Sequence, residues 1–269
     1  MITELAQLVR DRRVVLFAGA GLSAPLGLPT WSELIAHMAQ DLGYDPAVLV
    51  QPGVNYLTVA EYYVLEKNIG PLRSWMDRKW LVDDAALSAS KVHNQIVDLD
   101  FPFIYTTNYD RNIERAFELR GRQFDKIASV VDIGRASSDR PHIVKFHGDF
   151  DNDGSIVLAE SRYFERLRFE HPLDIKFRAD VLGRSILFVG YSLNDLNMRL
   201  LLYSLQQTWK EAGALEHRPK SYMVMLRPDP IQQRVLESWG VETIVPDVDS
   251  PELGLPHLFD QLLAGASGA

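Results

Sequence analysis

Val14-Val15-Leu16-Phe17-Ala18-Gly19-Ala20-Gly21-Leu22-Ser23 is an unbroken apolar run that ends in a glycine-rich turn. Five apolar residues in a row, with no polar alternation, read as a strand buried on both faces, as in a parallel sheet. The pattern recurs. Phe103-Ile104-Tyr105-Thr106 runs into Thr107-Asn108-Tyr109-Asp110, Ile143-Val144-Lys145-Phe146 into His147-Gly148, and Ile186-Leu187-Phe188-Val189 into Gly190-Tyr191-Ser192. Two further strands are expected near Tyr222–Leu226 and Glu242–Val245, and a short one at Ser155–Ala159.

Helical periods separate these runs. They cover Thr3–Arg13, Trp31–Asp41 with Thr30 or Ser32 as N-cap, Ala85–Leu99 and Arg111–Arg120. Others cover Ser161–Leu182 with a break near Pro172, Leu196–Lys210, Ile231–Trp239 and Leu258–Leu263. Residues 43–100 hold no strand pattern, and Tyr56, Val59, Ala60, Tyr63 and Val64 recur at helical spacing. The expected fold is therefore α/β: a Rossmann-like, mostly parallel sheet flanked by helices, with a helical insertion module at about 43–100. One domain is expected to span residues 1–269, with a fraying tail at Ala264–Ala269.

Composition limits the function classes. The chain has 269 residues, 28 Lys+Arg against 36 Asp+Glu, a net charge of −8 and no cysteine. The acidic balance disfavours nucleic-acid binding. The best basic stretch (Arg162, Arg166, Arg168, Lys176, Arg178) is interleaved with Glu165, Glu170 and Asp174, as on a solvated helix face. Without cysteine there is no disulfide, no thiol nucleophile and no thiolate zinc site, which fits a reducing compartment. Val14–Ser32 is uncharged and follows Arg10, Arg12 and Arg13, but Gly19, Gly21, Pro25, Gly27 and Pro29 break it up. No signal peptide or membrane span is expected, and the cytoplasm is the expected location.

In an open α/β sheet ligands bind beyond the carboxyl ends of the strands, so the residues after each run are the informative ones. Gly19-Ala20-Gly21-Leu22-Ser23-Ala24 fits Gly-x-Gly-x-x-Ala, whose exposed N–H groups can cradle a pyrophosphate. Pro25 and Pro29 delay the helix that such a turn ordinarily opens into, and a ligand-free tight turn explains the same residues. Asn108, Asp110 and Asp195 each suit helix capping. His147 alone suits a structural role, as do His93 and His171. Trp75, Trp80 and Trp209 suit either core or interface.

Together the four strand ends are more specific. Val14–Trp31 (VVLFAGAGLSAPLGLPTW), Tyr105–Asp110 (YTTNYD), Lys145–Gly148 (KFHG) and Val189–Asp195 (VGYSLND) stand in the order seen in sirtuin-like NAD-binding domains. The chain resembles the bacterial sirtuin-like NAD hydrolases of anti-phage defence, rather than the protein-deacylase sirtuins. It departs from the latter in lacking a four-cysteine zinc ribbon and in carrying Thr107 where they carry glutamine. The resemblance implies NAD as substrate, no metal, and cleavage of the nicotinamide N-glycosidic bond to ADP-ribose and nicotinamide. It implies a catalytic set of Asn108, His147 as general base, and Asp110 to orient them or stabilise the ribosyl cation. It implies that Gly19, Ala20, Gly21, Ser23, Thr30, Trp31, Thr107, Gly190, Tyr191, Ser192 and Asn194 bind the dinucleotide. NAD depletion is toxic, so control is expected through a homo-oligomer or a partner chain such as a HerA-type ATPase or a short Argonaute. The alternatives are an NAD-dependent deacylase or ADP-ribosyl transferase, and a non-catalytic NAD or ADP-ribose binding module.

Overall fold

The computed structural model describes residues 1–49, 53–167, 170–191 and 196–267. The chain opens with α1 (Ile2–Arg10) and β1 (Val14–Ala18). Two 3₁₀ turns (Ala20–Leu22 and Ala24–Leu26) follow, and then six helices in succession. These are α2 (Trp31–Asp41), α3 (Pro46–Leu49), α4 (Tyr56–Lys67), α5 (Gly70–Lys79), α6 (Asp84–Ala89) and α7 (Lys91–Leu99). Next come β2 (Phe103–Thr106), α8 (Asn112–Leu119), β3 (Asp125–Ile127), α9 (Val130–Arg135) and β4 (His142–Lys145). The remainder is α10 (Glu160–Arg166), α11 (Pro172–Leu182), β5 (Ser185–Val189), α12 (Leu196–Glu211), β6 (Ser221–Val224), α13 (Pro230–Ser238), β7 (Val241–Ile244) and α14 (Pro251–Ser267).

The seven strands form one sheet in the order β3-β4-β2-β1-β5-β6-β7, and every pairing is parallel. The apolar runs are explained by this arrangement, because helices cover both faces. Val14, Leu16 and Ala18 enter a core with α1, α7, α8 and α14, whereas Val15 and Phe17 enter the opposite core with α11, α12 and α13. Phe17 is fully buried among Tyr105, Phe146, Phe177 and Phe188, with ring centroids 5.3–6.4 Å away. Burial of such a ring contributes about 1.5–3 kcal/mol. A third core joins α2, α4 and α5 to Tyr109, Phe150, Ile156 and Leu158, so the helical module packs directly onto segments that follow β2 and β4. No helix among the described residues is long and apolar enough to cross a membrane.

Several local expectations need correction. Ser155–Ala159 is not a strand: Asp153–Ser155 is a 3₁₀ turn and the following residues are irregular. Of the expected tail at Ala264–Ala269, Ala264–Ser267 belongs to α14 and residues 268–269 lie outside the described residues. The expected helix at Ala85–Leu99 is two helices that meet at Ser90, whose extended backbone (φ −70°, ψ 104°) breaks the turn. β3 and α9 have no counterpart among the expected elements, since Asp125-Lys126-Ile127 is short, part-charged and at the sheet edge.

His93 on α7 is 1 % exposed, and its Nδ1 lies 2.8 Å from the Ser90 hydroxyl. Burial pushes its pKa down to about 4, against the opposing pull of the Asp110 carboxylate. The folded protein therefore holds this ring neutral while the unfolded chain protonates it near its ordinary value of 6.5. The stabilisation is present in full above pH 6.5 and is lost as pH falls from 6.5 toward 4. Replacing His93 by Gln should reduce this acid-side loss by about 1–3 kcal/mol, which thermal melts of both proteins between pH 7 and 4.5 would measure.

Candidate functional site

The strand registers bring the four candidate segments to one edge. Ala18 pairs with Thr106 and with Val189, and Thr106 pairs with Lys145. One residue further, Gly19, Thr107 and Phe146 still donate across the row, to Val189 O, Ala18 O and Thr106 O. Asn108 and His147 therefore stand at equivalent positions, each two residues beyond a paired strand residue on neighbouring strands. β1 lies between β2 and β5, where the strand order reverses, which is the crevice position for ligands in this fold class.

The glycine-rich turn is built for backbone contact. Gly19 N–H donates to Val189 O and Gly21 N–H to Gly190 O, both at 2.9 Å. Those two donors are engaged inside the protein. Ala20 is exposed, and its N–H has no partner among the described residues. A Cβ on Gly19 would lie 2.5 Å from Gly190 O, and one on Gly190 would lie 2.5 Å from Leu22 N. Gly190 also has φ +60°, a left-handed conformation that favours glycine. Ser23 is 2 % exposed, and its Oγ has no hydrogen-bond partner among the described residues. A buried hydroxyl in that state suits a polar ligand group. Thr30 serves the fold, capping α2 in a reciprocal box with Glu33. Trp31 packs against the helical-module core.

Asn108 is 8 % exposed. Its Nδ2 donates to Gly19 O at 3.1 Å and its backbone N–H to Thr106 Oγ1 at 3.0 Å. The carboxamide is thereby fixed to the glycine turn, and no described residue engages its Oδ1. Thr107 is half-buried and donates its N–H to Ala18 O. Asp110 Oδ1 accepts from Asn112 N–H at the start of α8, and the carboxylate lies within electrostatic range of His93 and Glu114. Asp110 thus closes a side-chain turn just before α8, whose N-cap is Arg111.

His147 is 4 % exposed, with its ring edge-on to Tyr163 at 5.4 Å and beside Phe146 at 5.8 Å. Its carbonyl accepts from Val157 N–H, and Tyr109 Oη donates to Val157 O. Arg166 donates to Phe146 O at 2.8 Å, covers the Phe146 ring at 4.6 Å and makes a two-pronged bond to Asp174. Tyr191 packs on Phe17 at 5.3 Å, next to Gly19. Ser192, Asn194 and Asp195 lie outside the described residues, as does Arg168. Among the described residues no group of three or more His, Asp or Glu is placed to hold a metal ion.

Sequence reasoning missed several contributors. Tyr163 and Arg166 come from α10, far from the strand ends in sequence. Trp80 stacks on Tyr109 at 5.9 Å and Phe150 tilts against Trp80 at 5.8 Å, so the module meets the site through aromatics. Trp75 stacks on His37 instead of presenting a free ring. One signal was available: Lys145 is the single charge within an otherwise apolar strand.

Gly190→Ala should separate the two turns and destabilise the protein beyond the conformational cost of about 1–2 kcal/mol alone. Gly27→Ala is the control, because Gly27 also has positive φ but faces open space. Urea unfolding should show the larger loss at Gly190; equal losses would mean the turns have room to part.

A SIR2-like domain model matches residues 102–244, just over half of the chain. The chain is 28% identical over 205 residues to the NAD(+) hydrolase ThsA of Acinetobacter baumannii, covering 75% of this chain and 41% of that protein. It is 27% identical over 214 residues to the NAD(+) hydrolase ThsA of Bacillus cereus, covering 78% and 43%. It is 26% identical over 239 residues to Defense-associated sirtuin 2 of Bacillus subtilis, covering 87% and 23%. The chain spans less than half the length of these relatives. With the motif-bearing strand ends gathered at one edge of a parallel sheet, and the domain model matching from β2 through β7, the chain belongs to the SIR2-like domain family.

Proposed function

We propose that this chain hydrolyses NAD⁺, cleaving the bond between nicotinamide and ribose to release nicotinamide, ADP-ribose and a proton. The observation that carries the proposal is the shared register of Asn108 and His147 beside the Gly19–Ser23 turn. The names of the relatives called NAD(+) hydrolase support the same reading.

The leaving group is a pyridinium that departs as neutral nicotinamide, so it needs no protonation. This separates the reaction from ordinary glycoside cleavage, where a carboxylic acid protonates the leaving oxygen. The site has to bind the dinucleotide, stabilise an oxocarbenium-like ribose and direct a water. Asn108 is held by its Nδ2, which leaves Oδ1 to accept from a ribose hydroxyl or the attacking water. His147 takes the proton that water loses, directly or through a ribose hydroxyl. Ser23 Oγ and the Ala20 N–H are the polar groups of the turn for the pyrophosphate side. Gly190 and Tyr191 line the adenosine side in this reading, with Ser192 and Asn194 following them. Asp110 acts by holding the turn that carries Asn108.

We extend the proposal to an NAD-depleting role in anti-phage defence, in line with the relative named Defense-associated sirtuin 2. The cytoplasm is the compartment that suits an NAD consumer without cysteine. We infer a single catalytic domain with the helical module inserted in it. Control would come from self-assembly or from a partner chain such as a HerA-type ATPase or a short Argonaute.

Purified protein incubated with NAD⁺ should yield nicotinamide and ADP-ribose. Asn108→Ala and His147→Ala should each lower kcat by about 10²–10⁴-fold with the thermal midpoint little changed. Wild-type turnover in His147→Ala would remove its role as base. NAD⁺ that binds wild type without being consumed, even with an acyl-lysine peptide or a partner present, would turn the reading to a binding module.

A further inference from the structure

The charge inside β4 has no part in the reaction outlined above. Lys145 is 0 % exposed and Glu114, on the first turn of α8, is 1 % exposed. The ammonium lies 3.2 Å from the Glu114 carboxylate. The same Lys145 Nζ donates to the backbone carbonyl of Asp110. One buried group therefore joins three pieces: the end of β4, the first turn of α8 and the turn that follows β2.

Stability alone does not account for this arrangement. Taking two charges out of water is costly, and a well-packed apolar pair in their place is often as stable or more so. An apolar pair would hold α8 to the sheet equally well. What it lacks is a donor for the Asp110 carbonyl. The positions are telling: Asp110 is two residues after Asn108, and Lys145 two residues before His147. We propose that Lys145 is a positioning residue whose buried ammonium, paired with Glu114, ties the Asn108–Asp110 turn to β4 and so holds Asn108 in register with His147. Its kinetic consequence rests on the NAD-hydrolase reading; its structural consequence does not.

The test compares Lys145→Met, the double variant Lys145→Met/Glu114→Met and Glu114→Gln with wild type. The single Lys145→Met leaves a buried carboxylate unpaired and should lower Tm, whereas the double variant should recover it. In the double variant, amide hydrogen exchange over residues 107–112 should accelerate by about tenfold or more while the β1, β5 and β6 amides stay protected. kcat for NAD⁺ should fall by about 10- to 100-fold, with KM within about threefold of wild type. Glu114→Gln keeps the ammonium and its bond to Asp110, so it should loosen the turn less than either Lys145 variant. Should the methionine variants fail to fold, Lys145→Gln, a donor of shorter reach, gives the same readings. A double variant with recovered Tm and wild-type turn exchange and kcat would overturn the proposal, and so would equal loosening in all variants. If wild type shows no turnover even with an acyl-lysine peptide or a partner present, the hydrolase reading falls and the exchange data alone decide the tether.

Discussion

The contact between Gly190 and the Gly19–Gly21 turn sets the spacing of the whole sheet edge. β1 and β5 end on opposite sides of the point where strand order reverses, and their exits would ordinarily diverge to leave a cleft between them. Here the two backbones touch at Gly190, at separations that leave no room for a Cβ on either side. The glycines that look like a phosphate cradle are first of all a backbone joint. Once that joint is closed, Gly19 O is placed to receive Asn108 Nδ2, and the β2 exit is fixed relative to β1. The β4 exit then follows from its register with β2. Ala20 N–H, Ser23 Oγ and Asn108 Oδ1 are polar groups of this edge that have no partner among the described residues.

Around this edge the buried charges are arranged in pairs that grip backbone carbonyls. Lys145 holds Asp110 O against Glu114, and Arg166 holds Phe146 O against Asp174. The first lies two residues after Asn108 and the second directly before His147. A buried ion pair is weak evidence of stability, because desolvation offsets the attraction. Its directional donors, however, fix a turn more tightly than apolar packing does. The helical module adds a second constraint. Asn55 and Thr58 donate to Glu160, and Glu61 accepts from Ser161 N–H, so α4 is clasped to α10 and hence to Tyr163 beside His147.

The parallel sheet was legible because a strand covered on both faces is almost wholly apolar, and four such runs, one of them carrying Lys145, stand out from a chain with 24% charged residues. Asn108 and His147 were legible as strand-end residues for the same reason. What escaped was whatever depends on distant partners. β3 contains Asp125 and Lys126, and as an edge strand it has no need of an apolar run. Tyr163 and Arg166 sit in a helix that reads as a solvated face until Asp174 and Phe146 O are seen to bury Arg166. The turn glycines meet a second glycine at Gly190, and nothing in Gly-x-Gly alone distinguishes that packing role from approach to a phosphate.

The parallel topology also shapes how the chain is made. β1 precedes both of its neighbours in the chain by many residues, since Val15 pairs with Phe103 and Val14 with Ser185. At about 5–20 residues per second the second partner emerges on the order of 10–30 s after the first strand. For that interval Val14–Ala18 is an apolar segment without its sheet, the kind of stretch that associates with other nascent chains. Arg10, Asp11, Arg12 and Arg13 stand directly before it. Charges flanking an unavoidable apolar strand act as gatekeepers against aggregation, and Arg10 to Arg13 occupy that flanking position.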